Sequence, residues 1–317
     1  KTGGYIYEKN IITYCRKKNI NIHPIALSSN YPFPSKKDLK NFLQILKYIP
    51  SKSIIVIDGL ALEGMYAIFN KFKDYKVVGL IHHPLSLEFN GKIAEKFFKL
   101  EKKYLNLINN FVVTSFETKS LLINDFNIRR HKISVVEPGI LRMKKYKYYK
   151  KNKLFFLTCG SIIDRKNYLF LLKVFKNFNN YSLNIIGDTS RDNDYYIKIK
   201  KYIKTNKLSK KIHFIGKVSD SKLSKFYSQT DFYISVSKYE GFGMSLANSL
   251  IAKKPIITFY TKTINQTLKN NGVLYFDRFN VKYLQKLILE NCFNKDNFKK
   301  LKESVKKNKR YFLTPDE

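Results

Sequence analysis

The sequence predicts an α/β protein built on parallel sheets, and three observations carry that expectation. Short runs rich in Ile, Val, Leu and Phe recur along the chain, stretches with helical spacing separate them, and the runs end in Gly, Asp, Ser or His. Near-continuous apolar runs suit strands covered on both faces, and the intervening helices supply the crossovers that parallel neighbours need. Ligands of such sheets sit at the carboxyl ends of the strands.

Taken in order, the first helix is expected over 6–18, entered from Thr2-Gly3-Gly4-Tyr5, where glycines and free amides can cradle a phosphate. A strand should precede it. Since Lys1 is not a methionine and Pro315-Asp316-Glu317 ends as abruptly, the chain reads as truncated at both ends. Strands are expected over 54–57, 77–81, 111–114 and 133–136, and a second series over 154–158, 183–186, 212–215, 232–236, 255–258 and 273–276. Between the series, 144–153 is rich in Lys and Tyr and poor in aliphatic residues. It reads as a linker, either simply solvated or a basic and aromatic patch against a membrane. The expected organisation is therefore a first domain at 1–143, a linker at 144–153 and a second domain at 154–317.

At 317 residues, with 44% hydrophobic and 15% aromatic content, the chain can bury a core in each of two domains. Its 60 Lys and Arg against 24 Asp and Glu leave a formal charge of +36, which ordinarily points to nucleic acid or an anionic surface. Here the lysines are spread over nearly every helix rather than gathered in one stripe. A solvated basic surface is the expectation, with peripheral contact to an anionic membrane retained and no nucleic-acid partner expected, a basic nucleic-acid binder being the third reading beside it. Cys15, Cys159 and Cys292 are odd in number and far apart, so neither a disulfide framework nor a zinc site is indicated, and a reducing cytoplasm fits. No apolar run approaches the roughly 18 residues that span a bilayer.

The densest chemistry lies between Ser235 and Asn248. A buried strand is expected to end near Val236 and a helix to run over 244–252, so Glu240-Gly241-Phe242-Gly243 should be the turn joining them. Amides at a helix start lack partners and carry the positive dipole end, which suits a pyrophosphate, and Glu240 can accept hydroxyl hydrogen bonds from a sugar. Asp192-Asn193-Asp194 has the Asp-x-Asp form of a metal site, but it lies in a polar loop before a helix expected over 195–206. There Asp is a helix cap, and no obligatory metal or cofactor is expected.

In order and spacing, several segments resemble a retaining glycosyltransferase of the GT-B type, family 4, also called group 1. They are Gly3-Gly4, Ile81 to Pro84, Val135 to Ile140, Gly160 to Asn167, Ile185 to Asp188, Phe214 to Val218, and Ser237 to Ile257. The resemblance covers most of the chain and implies two doubly wound, Rossmann-like domains facing a cleft. It implies a nucleotide-sugar donor, UDP- or GDP-linked, and a glycan or lipid-linked saccharide acceptor; with the cytoplasm that the cysteines fit, the basic surface leaves the inner face of the membrane as an optional location. By resemblance, Glu240 contacts the donor sugar. Gly241, Phe242 and the backbone from Gly243 through Met244, Ser245 and Leu246 take the phosphates with Gly3 and Gly4. Lys166 and Arg165 neutralise charge, Val218 seats the base, and His82, with His83 beside it, contacts donor or acceptor. Two positions depart from the family pattern. Ser161 stands where an arginine is usual, and Asn248 where a second glutamate holds the ribose hydroxyls. An amide accepts such a bond without charge assistance. These departures leave open a second expectation, a nucleotide- or glycan-binding protein with weakened turnover.

Overall fold

A computed structural model of the chain describes residues 3–89, 91–147 and 152–316. They form two compact units. Residues 11–138 make one, and residues from 139 onward, together with those up to Asn10, make the other. The division therefore falls at Pro138/Gly139 and sets the first residues with the later unit, rather than splitting the chain at 143/144. The expected linker is only partly within the described residues. Of its length, 148–151 lie outside them, while the Tyr146 hydroxyl sits 2.8 Å from Ser221 Oγ and the Tyr146 N–H donates to Ser228 Oγ. Tyr146 is thus docked on its own unit, while Lys144, Lys145 and Lys147 beside it are exposed.

Helix α1 runs from Gly3 to Lys17, three residues earlier than expected, so Gly3 and Gly4 form its first turn. The 11–138 unit continues with α2 (Lys36–Leu46), β1 (Ile54–Asp58), α3 (Gly59–Met65), β2 (Lys76–Ile81), α4 (Gly91–Leu105), β3 (Asn110–Val113), α5 (Phe116–Asn124) and β4 (Ile133–Val135). Its four strands are parallel and ordered β1-β2-β3-β4. The core joins Leu62 and Met65 of α3 to Phe111 and Val113 of β3 and Leu122 of α5. One expectation fails here. Ile54 and Val56 of β1 are 66% and 58% exposed, because this edge strand is packed on one face only.

The other unit contains β5 (Leu154–Cys159), α6 (Tyr168–Phe175), β6 (Tyr181–Ile186), α7 (Asn193–Thr205), β7 (Ile212–Gly216), α8 (Asp220–Gln229) and β8 (Phe232–Ser235). It continues with α9 (Met244–Ile251), β9 (Ile256–Phe259), α10 (Lys262–Leu268), β10 (Val273–Phe276), α11 (Val281–Ile288) and α12 (Lys295–Lys306). All six strands are parallel, in the order β10-β9-β8-β5-β6-β7. Alternate residues feed opposite faces, as the two-residue period of a strand requires. Phe156 and Phe232 stack in one core with Leu183 and Ile185, while their neighbours Leu157 and Tyr233 enter a second core with Leu246 and Ile256. No helix of the described residues is long and apolar enough to cross a membrane.

Candidate functional site

The strand order of the six-stranded sheet reverses at β5. Strands β6 and β7 build outward on one side, and β8, β9 and β10 on the other. Loops leaving β5 and β8 at their carboxyl ends diverge, and the gap so made is where an open α/β sheet takes a ligand. The residues expected to meet a donor follow those two strands, Gly160 to Lys166 after β5 and Ser237 to Gly243 after β8.

Four bonds clasp the two loops together. The Lys238 N–H donates to the Arg165 carbonyl at 2.9 Å, and the Lys238 ammonium meets Asp164 at 2.7 Å. The Arg165 guanidinium donates to the Tyr239 carbonyl at 2.6 Å, and Lys166 Nζ lies 2.5 Å from Glu240 Oε1. Arg165 also stands 3.9 Å from the second Glu240 oxygen. The 3₁₀ turn Asp164–Lys166 closes on Asn167 in the left-handed region (φ 56°), and this brings two adjacent cations to one carboxylate. Lys166 and Glu240 are each only 13% exposed. Burial lowers the lysine's pKa, with Glu240 pulling the other way. Burial pushes Glu240 up, but Lys166 and Arg165 outweigh it and hold the carboxyl below its usual range.

Beside this pair begins α9. Gly243, its N-cap, has φ 89°, and an added Cβ would lie 2.7 Å from Ile264 Cδ1, so only glycine fits. With no side chain capping the helix and no acid in its first turn, the amides of Met244, Ser245 and Leu246 carry an unneutralised positive end. The side chains of Phe242 and Leu246 are buried in the core, so these residues can serve a ligand only through their backbone. A Cβ on Gly3 would lie 3.3 Å from Met244 Sδ, which sets the start of α1 against the start of α9. One turn into α9, Asn248 buries its Oδ1 without a hydrogen-bond partner among the described residues, an acceptor open to a hydroxyl donor. Val218 is partly buried just beyond β7, where the Gly187 N–H donates to the Gly216 carbonyl and Lys217 pairs with Asp188 at 2.8 Å.

Three supporting residues escaped sequence reasoning. Tyr168, Tyr227 and Tyr233 are all 2% exposed or less. Their hydroxyls donate to the carbonyls of Gly160 (2.9 Å), Ser245 (2.7 Å) and Cys159 (3.2 Å), so phenols hold the backbone after β5 and the first turn of α9. In a chain with 23 tyrosines nothing marks these three. Gly187 is equally constrained, since a Cβ there would fall 1.8 Å from the Gly160 carbonyl oxygen.

In the 11–138 unit, His82 follows β2. Its carbonyl accepts from the hydroxyls of Thr114 and Thr118, and its Nε2 lies 3.6 Å from Asp58 Oδ2. His83 Nε2 is 2.9 Å from Glu88. Asp192 caps α7, accepting the Tyr195 N–H at 3.0 Å, as its loop position suggested. All three cysteines are free.

The fold and this loop pair define a class, the GT-B glycosyltransferases, and comparison with solved structures bears out the fold. A glycosyltransferase from Rickettsia africae aligns over 94% of this chain and 83% of its own, at 21% identity and a TM-score of 0.65. Anabaena HepE in complex with UDP and glucose aligns over 96% and 85%, at 12% identity and a TM-score of 0.67. The family model of glycosyl transferases group 1 matches residues 142–311, more than half of the chain. The chain belongs to that family. Among curated proteins it is similar to the poly(ribitol-phosphate) alpha-N-acetylglucosaminyltransferase of Staphylococcus aureus, 25% identical over 262 residues, which are 77% of this chain and 50% of the relative. The chain thus spans about half the length of that relative.

Proposed function

We propose that this chain is a retaining family 4 transferase that moves a hexosyl unit from a nucleotide sugar to a hydroxyl of a glycan, polyol-phosphate or lipid-linked saccharide. The Lys166–Glu240 pair beside the uncapped start of α9, at the reversal of strand order, carries this reading. UDP-N-acetylglucosamine and UDP-glucose are the first donors to test, in view of what the Staphylococcus relative transfers and what the Anabaena structure holds. We place the reaction in the cytoplasm, with membrane contact only through the acceptor.

In this reading the donor diphosphate draws Lys166 and the α9 amides to itself, and Glu240, released from its partner, accepts a hydroxyl of the sugar. Asn248 accepts from the ribose. The acceptor oxygen bonds to the anomeric carbon as that carbon's bond to the diphosphate oxygen breaks. The charge growing on the departing phosphate is met by Lys166 and the helix dipole, groups already oriented before the reaction. The acceptor proton leaves with the departing phosphate, which lies on the face from which a retaining acceptor approaches. The weakened-turnover alternative keeps only the Ser161 and Asn248 departures in its favour, and against it stand the Lys166–Glu240 pair and the uncapped helix start.

The test is UDP release with each donor and a saccharide or polyol-phosphate acceptor. Glu240→Ala and Lys166→Ala are each expected to lower kcat/KM by roughly 100-fold or more. Equal turnover in wild type and both variants would remove the reading.

A further inference from the structure

The chain carries few acids, yet the segment after β2 is ringed by them. Asp58 lies near His82, Glu88 pairs with His83, and Glu101 of α4 reaches the backbone just beyond Pro84. Glu101 is the least ordinary of the three. It is 2% exposed, its Oε1 accepts the Leu85 N–H at 2.5 Å and the Tyr104 hydroxyl at 3.4 Å, and its Oε2 accepts the Ser86 N–H at 3.0 Å. Those amides open the 3₁₀ turn Leu85–Glu88, whose own N-cap, Pro84, makes no side-chain hydrogen bond. A carboxylate from another helix thus supplies the cap. Burial raises the Glu101 pKa while the Ser86 and Leu85 amides and the Tyr104 hydroxyl favour its charged form, and the two amides fix the course of the chain just beyond His82-His83-Pro84.

We infer that Glu101 is a positioning residue for the histidine segment, holding its far end while Thr114 and Thr118 hold the His82 carbonyl. The inference rests on the transferase reading above and on His82 contacting donor or acceptor in it, as the family resemblance implies. Glu63 of α3 lies near Glu101, and burial together with the Glu101 charge pushes its carboxyl up to about 7, so it carries only part of a charge at neutral pH. Lys96 offsets part of that charge.

The substitution Glu101→Gln keeps the shape but turns an N–H₂ toward an amide N–H. With the histidines labelled at Cε1, carbon–proton spectra of the full chain should show the His82 and His83 signals displaced, and those of His23, His131 and His213 unmoved. In UDP release, kcat should fall about tenfold at unchanged donor KM, since displacement of a positioned group by a fraction of an ångström costs rate rather than affinity for a diphosphate held elsewhere. Unmoved His82 and His83 signals, or wild-type kcat, would overturn the inference. Should the variant not fold, amide exchange of the wild-type protein decides. Leu85 and Ser86 should exchange as slowly as strand amides, and fast exchange there would sink the proposal. Absence of any transfer by the wild type would instead remove the proposed function and leave the spectroscopic result standing.

Discussion

The two units share one grammar of strand, helix and parallel neighbour, yet they place their charged chemistry differently. In the later unit the sheet reverses direction at β5, so two loops part and then are clasped again by Lys238, Arg165 and Lys166 against Asp164, Tyr239 and Glu240. In the 11–138 unit the described strands follow one another without reversal, and acids gather instead around one histidine segment. The lesson concerns a chain at +36. Where lysine is everywhere, a lysine informs only when it is buried, and an acid informs almost wherever several converge.

The sharpest way to break this comparison is at the close approach of the two loops' supports. Gly187→Ala puts a methyl into the Gly160 carbonyl oxygen, so the backbone beneath the Lys166 loop must move. The expected loss is about 2–4 kcal/mol of stability, read by thermal or urea unfolding. A variant as stable as wild type would show that the loop after β5 is not held as described.

A finer probe is Tyr227→Phe, which removes the donor to the Ser245 carbonyl without opening space. A buried acceptor left without its partner costs about 1–2 kcal/mol. Donor affinity should weaken along with stability, because Ser245 belongs to the first turn of α9. Unchanged donor KM beside lowered stability would make the phenol a core group only.

The smallest expected effect separates the units by pH. Glu63 in the 11–138 unit has its carboxyl raised from 4.5 to about 7, chiefly by burial. Below pH 4.5 it is protonated in both folded and unfolded states and costs nothing. As pH rises to 7 the unfolded chain ionises first, and stability is lost until the folded carboxyl also ionises. Glu63→Gln should therefore raise unfolding stability at pH 8 by about 1 kcal/mol, discounted for the group's partial solvation, and make no difference at pH 4. A gain equal at both pH values would assign the effect to packing.

Much of the frame was legible from residue order. Period and composition located the ten strands of the described residues to within two residues, because parallel strands in this fold are short apolar runs that turn residues delimit. Exposure of Ile54 and Val56 was not legible, since a run of Ile and Val reads alike on an edge and in a centre. The start of α1 was missed by three residues, because glycines usually mark a loop and here they form a helical turn beside Met244.

At the site, Glu240, Lys166 and the glycines of the α9 turn could be picked out because their chemistry is written in residue type and spacing. Which partner each would face was not written there. Arg165 turning to the Tyr239 carbonyl, three phenols propping Cys159, Gly160 and Ser245, and Glu101 capping a turn on another element all join residues distant in sequence. Local sequence by itself determined where strands and helices form and which groups carry charge, since these depend on neighbours a few residues away. Only the tertiary structure decided which of those groups lose water and meet, because burial and hydrogen-bond geometry are properties of chain segments brought together from afar.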